Sequence, residues 1–305
     1  MNSSQQPIKH LLFRAGFGPH AQHWQKMSKQ RPDKVLQQLV KTSERNEAEW
    51  RESKAWQRDP LSQRDRNPML RKMNQERNRN SIRKLNLDWV NQMVHSEDQL
   101  REKMALFWHD HFACRLRLAP LVQRQLLTLR TYALSSFREL LFAISRDPGM
   151  LQFLNNQQNR KAHPNENFAR ELLELFTLGR GHYTEKDIQE AARAFTGWGF
   201  NLKGEFVFRQ RQHDTGTKTF LGKTGNFGGE DILNIILDQP RTARFLVEKI
   251  YRFLVHPDLD EAVVEEWSQA YRESDYDTLE LLVRIFSSDH FYESRNVGAR
   301  IKSPI

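Results

Sequence analysis

A chain of 305 residues, 38% hydrophobic and 28% charged, is long enough to bury a sizeable core and too apolar to be a disordered tail. Its single cysteine, Cys114, excludes an internal disulfide and a cysteine-rich metal site, and no apolar run approaches the ~18 residues of a membrane span. The formal net charge of +9 points toward an anionic partner only if that charge is concentrated somewhere.

In chain order, the start "MNSSQQPIKHLLFRAGFGP" has a short apolar run interrupted by Arg14. It lacks the pattern of a secretory signal, which predicts a cytoplasmic protein. Basic residues gather in 58–84, "RDPLSQRDRNPMLRKMNQERNRNSIRK", a stretch expected to be a solvated helix pair or a connecting loop. No aromatic residue interrupts this run, and no zinc-finger or RNA-binding signature occurs anywhere, so nucleic acid is not the expected partner.

Helical periodicity dominates the rest. In "EDQLREKMALFWHDHF" (97–112), Leu100, Met104, Phe107, Trp108 and His111 follow the spacing of one buried stripe. Helices are also predicted over 120–145, 165–178, 184–196, 229–237, 241–254, 260–272 and 277–287. Thr184 with Asp187 three positions on is a weak capping box, and Gly197 is a plausible stop. The exception is 198–222, where a Lys203-Gly204 turn and the run "EFVF" predict a small hairpin followed by a glycine-bounded loop. The expected fold is mainly α: a single helical domain over 1–305 with a small β-hairpin insert near 198–222.

The stretch "NENFARELLELFTLG" (165–179) places Phe168, Ala169, Leu172, Leu173, Leu175 and Phe176 on one arc of a helical wheel, and Glu166, Asn167, Arg170, Glu171, Glu174 and Thr177 on the other. A surface helix accounts for that separation, with Glu166, Arg170 and Glu174 as exposed ion pairs worth only ~0.3–0.5 kcal/mol each. Asparagines around the first glutamate are less expected of such a helix. They suit capping, or the orientation of a carboxylate.

"HPNENFARELLELFTLGRGHYTEKDIQEAARAFTGW" (163–198), together with "HLLFRAGFG" (10–18), "ALFWHDHF" (105–112), "HDTGTKTFLGKTG" (213–225) and the terminal "IKSPI" (301–305), closely resembles the bacterial family known as domain of unknown function 1800. The similarity runs from about residue 8 to the end. Two departures stand out: Asp110 lies where the family more often has Asn, and the chain stops where members usually continue with further helices. The resemblance implies a largely helical fold and no assigned reaction, with these motifs as the family's hallmarks. Members are often exported, and often encoded beside proteins resembling phosphatases and sulfatases, which makes such a protein a candidate partner.

Several of these residues could carry chemistry. His109 and His111, at i and i+2, cannot face one point from a regular helix, so both converge only if the helix ends there. With His213 and Asp214 they would form a ligand set for Zn²⁺ or Mn²⁺, although no HExxH spacing is present. Glu166, Arg170 and Glu174 are the catalytic candidates, a Glu acting as base on a metal-bound water and Arg170 orienting an anionic group. Asn165, Asn167 and Lys218 are substrate-binding candidates, and Lys223 could also meet an anion. A Walker loop is rejected because five residues, not four, separate Gly216 from Gly222. "GFGPHA" (16–21) matches a dinucleotide motif only formally, and no GxSxG elbow occurs. Two functions follow: a metal-assisted hydrolase of a phosphate, sulfate or glycan-type substrate, or a non-catalytic helical binding protein whose polar motifs form a structural network. Convergence of Glu166, Arg170 or Glu174 with His111 or His213 would favour the first.

Overall fold

Helix starts in this chain are written into its sequence. Asn67, Asp98, Ser136, Asp147, Thr184, Asp260 and Asp277 each accept a hydrogen bond from a backbone N–H of the turn they open. Prolines occupy the first turns of three more helices and share two with such caps, positions where a missing N–H costs nothing. The computed structural model describes residues 5–19, 21–45 and 67–300. Among them are α1 (Gln6–Ala15), α2 (Ala21–Met27), α3 (Pro32–Arg45), α4 (Pro68–His95), α5 (Gln99–His111), α6 (Ala119–Thr131), α7 (Phe137–Ser145), α8 (Pro148–Phe153), α9 (Asn167–Glu171), α10 (Glu185–Ala194), α11 (Gly229–Asp238), α12 (Pro240–Leu254), α13 (Glu261–Glu273) and α14 (Thr278–Ser287).

The fold is mainly α, as expected, with a small β insert. That insert holds two hairpins: β1 (Trp198–Phe200) pairs antiparallel with β2 (Phe206–Phe208), and β3 (Lys218–Phe220) with β4 (Lys223–Gly225). The second was expected to be loop. Its turn uses Leu221 at φ 45° and Gly222 at φ 78°, and a leucine in the left-handed region gives no turn signal in sequence.

Two other expectations change. The predicted helix 120–145 is broken between α6 and α7, where Ser136 caps a new start and the Phe137 amide donates to the Tyr276 carbonyl. The basic run, as far as it is described, is part of α4, one 28-residue helix rather than a pair; residues 58–66 lie outside the described residues, as does the motif 301–305.

Buried apolar side chains from Ile8 to Phe291 form one cluster. Helix α5 lies in its midst, packed on α1, α3, α4 and α6, while α10 packs on α9, α11 and β3. The predicted helix pair within 163–198 is present, and its apolar face is buried: Phe168, Leu172 and Phe176 on one side, Ile188, Ala192 and Phe195 on the other. Phe168 and Phe195 meet edge to face at 4.9 Å. Phe176 packs on the rings of His111 and Phe112.

Candidate functional site

The helix carrying the stretch 165–179 does not keep one period. After α9 the chain widens into a π-helical segment, Leu172–Thr177, and the amides of Leu178 and Gly179 both reach back to the Leu173 carbonyl. An added residue in the turn shifts the phase of everything after it. Leu175, on the apolar arc of a regular wheel, is 46% exposed, whereas Thr177, on the polar arc, is fully buried and donates to the Leu172 carbonyl at 2.6 Å. The side chain of Glu174 turns partly inward, to 17% exposure.

Side chains from distant parts of the chain close this segment's end. His111 donates from Nε2 to the Phe176 carbonyl (3.0 Å), Lys249 donates to the Leu175 carbonyl (3.0 Å), and Arg241 donates from Nε to the Leu178 carbonyl (3.0 Å). These are the carbonyls a helix end leaves without partners, and cations are favoured there by the helix dipole. Lys249 Nζ also lies 3.3 Å from His111 Nδ1, so the imidazole gives a proton at one nitrogen and receives at the other. Burial, Lys249's charge second, holds His111 well below the usual imidazole pKa, as a neutral ring. The motif "ALFWHDHF" therefore meets "NENFARELLELF" through a backbone carbonyl.

The charged residues of the motif face elsewhere. Arg170 forms a two-pronged pair with Glu185 (2.8 and 2.7 Å) and reaches Glu166 at 3.2 Å. Glu174 binds Arg180 (2.5 Å) and accepts from the Tyr183 hydroxyl (3.3 Å). Glu171 is pushed above the usual carboxylate range, by burial first and by Glu174's charge second. Among the described residues, Glu166, Arg170 and Glu174 make no hydrogen bond or ion pair with His109, His111 or His213.

The asparagines form a relay of their own. Asn167's amide donates to Asn165 Oδ1 (3.1 Å), and Asn165's amide donates to Asn159 Oδ1 (2.9 Å). Asn159 donates in turn to Asn156 Oδ1 and to the Ala192 carbonyl, while Asn156 donates to the Phe195 and Trp198 carbonyls. Asn167 Nδ2 donates to the Leu154 carbonyl. Asn165 therefore caps the helix start, and the relay ties α9 to the end of α10. Asn156 and Asn159 carry no signal in the sequence, because a lone buried asparagine leaves no periodic mark.

The four metal-ligand candidates lie in three places. His109 stands edge-on to Trp89 at 5.1 Å, and His111 is held at the π-helical end. His213 Nδ1 donates to the Thr196 carbonyl (2.9 Å), and Asp214 pairs with Arg193 at 2.8 and 3.2 Å. That pairing, first, together with the Gly216 amide, draws the Asp214 carboxyl below its usual range. Arg193 also grips Glu190, which accepts the Thr219 amide. Lys218 is buried with its ammonium on the Asp214 and Gly216 carbonyls (2.7 and 2.9 Å), closing the loop instead of facing solvent. Lys223 pairs with Asp238. Glu185 and Arg193 sit at opposite ends of α10, eight residues apart, so the Arg170 and Asp214 clusters attach about 12 Å apart along its axis. Among the described residues, no group of three or more His, Cys, Asp or Glu side chains is placed to hold a metal ion.

Cys114 offers no nucleophile. Burial pushes its thiol up to about 12, and Gln125 donates to its sulfur. No helix among the described residues is long and apolar enough to cross a membrane.

A family model described as "Protein of unknown function (DUF1800)" matches residues 10–305. No curated protein and no solved structure matches the chain. With essentially the whole chain covered, this protein belongs to the DUF1800 family.

Proposed function

We propose that this protein is a non-catalytic helical binding or scaffold protein, in which the family motifs hold one another in register instead of assembling a catalytic centre. The observation that carries this reading is His111: one ring nitrogen is committed to the Phe176 carbonyl and the other faces the Lys249 ammonium. An imidazole binds a metal or accepts a proton through a free lone pair, and neither nitrogen here offers one. The carboxylates of Glu166, Glu174 and Asp214 are likewise matched by Arg170, Arg180 and Arg193. Part of the net charge of +9 is concentrated on α4, where Arg71, Lys72, Arg77, Arg79, Arg83 and Lys84 are exposed; this suits an anionic partner, and an acidic surface of a phosphatase- or sulfatase-like protein is one such partner.

The competing metal-assisted hydrolase would require these groups to exchange their arginines and carbonyls for Zn²⁺ or Mn²⁺, so one variant separates the two. Glu166→Gln is expected to shift melting by no more than a degree or two, with no response to either metal. Stoichiometric Zn²⁺ or Mn²⁺ binding by the wild type that is lost in Glu166→Gln would overturn the proposal, as would turnover of a nitrophenyl phosphate or sulfate that the variant abolishes.

A further inference from the structure

Apart from the contacts above, three cations meet with no acid among the described residues to match them. Arg14, in the last turn of α1, has a buried Nη2 with no hydrogen-bond partner. Lys103 on α5 is nine-tenths buried and makes no hydrogen bond among the described residues; its ammonium lies 5.0 Å from the Phe17 ring centre and 5.2 Å from that of Phe253. Arg300 completes the group, close enough to weigh on both of the others.

Other buried guanidinium groups are matched by acids. Arg130 is bound to Glu102, Arg193 to Glu190 and Asp214, and Arg241 to Glu248. Charges taken from water need a partner of opposite sign, and aromatic faces stabilise a cation without neutralising it. His10, which Arg14 also acts on, adds no charge: it is held neutral, at about 4, by burial and by Arg14, and donates to the Phe291 carbonyl. Deprotonation does not relieve the cluster at neutral pH either. Burial, then Arg14 and Arg300, brings Lys103 down to about 8, and burial, then Arg300, brings Arg14 to about 10, so both remain charged.

We infer that Arg14, Lys103 and Arg300 form a binding site for a phosphate-class oxyanion, either free phosphate or the head of a phosphate monoester. Two guanidinium forks and one ammonium suit a tetrahedral dianion better than a single carboxylate, which would leave two charges unmatched. The Phe17 and Phe253 rings exclude water around the ammonium, strengthening its attraction for an anion.

The assignment is tested on the full chain by thermal melting in inorganic phosphate against chloride at equal ionic strength, with glycerol phosphate as the monoester probe. Millimolar phosphate is expected to raise the melting temperature by several degrees over chloride, and Lys103→Met and Arg14→Gln are each expected to lose that increment. Lys103→Met removes a like charge, so without phosphate it is expected to melt no lower than wild type. Lys223→Gln, which alters an exposed cation already paired with Asp238, is the control and keeps the phosphate response. A larger shift with glycerol phosphate than with phosphate assigns the site to monoesters, and the reverse assigns it to the free ion. Equal melting in phosphate and chloride would overturn the inference, as would a phosphate shift that survives in both variants. The two proposals fail independently: ester turnover counts against the non-catalytic reading, and absence of a phosphate-specific shift counts against this one.

Discussion

His111 and Phe176, 65 residues apart, are joined by a 3.0 Å hydrogen bond from imidazole Nε2 to a main-chain carbonyl at the end of a π-helical turn. This contact joins two motifs, and it makes the histidine a structural donor. His111→Leu keeps much of the volume but leaves the Phe176 carbonyl buried without a partner, a loss expected to cost about 1–3 kcal/mol in urea unfolding. His111→Gln, with an amide donor in place of the ring N–H, should recover part of that. A His111→Leu protein as stable as wild type would show that the carbonyl finds another donor and that the bond is incidental.

The phase shift at 172–177 gives a second test. Leu172→Ala should cost ~2–5 kcal/mol because Leu172 is fully enclosed. Leu175→Ala, at a position a regular helix would bury, should change stability by less than ~1 kcal/mol because that side chain stands in solvent. Equal losses at the two positions would mean that the helix is regular in solution.

Among the described residues, Glu102 and Arg130 form the most buried ion pair. Arg130 donates to both carboxylate oxygens, and Trp89 Nε1 adds a bond at 3.1 Å. Glu102→Gln removes the charge while keeping the shape, leaving a buried guanidinium uncompensated, and should cost ~3–5 kcal/mol. Arg170→Ala, by contrast, breaks half-exposed pairs and should cost about 1 kcal/mol or less. Chemical denaturation of the two variants side by side measures the contrast, and a larger loss at Arg170 would reverse this ranking.

Asp147 sets a pH dependence. One carboxylate oxygen caps α8 through the Gly149 and Met150 amides, while Oδ2 is buried without a partner. Burial outweighs those bonds and raises its pKa from 3.8 to about 6. The folded state thus holds the proton more tightly than the unfolded chain, so this group lowers stability as pH rises from 3.8 to about 6. At 1.36 kcal/mol per pKa unit, the loss is ~3 kcal/mol. His10, depressed to about 4, has the opposite sign, contributing stability above its ordinary range that is lost on acidification. The difference between wild type and Asp147→Asn isolates the aspartate: the variant should gain on wild type between pH 4 and pH 7. A difference that stays flat with pH would refute the assignment.

The helical class, most helix starts, the Thr184–Asp187 capping box and the buried faces of Phe168 and Leu172 are legible in the sequence, and the end of α10 is legible to within two or three residues: the helix ends at Ala194, and Gly197, with φ 82°, follows its cap. Each of these depends on neighbours within a turn or two, so spacing and capping chemistry record it. The phase of 172–177, and the roles of His111 and the asparagines, depend on contacts made far along the chain. A period of 3.6 cannot announce its own interruption, and the Phe176 and Leu175 carbonyls are met by donors 65 and 74 residues away. Arg170 likewise looks the same on a wheel whether it faces a ligand or Glu185, because its partner is chosen by how α9 and α10 pack, and packing brings together residues whose spacing in the chain carries no signal.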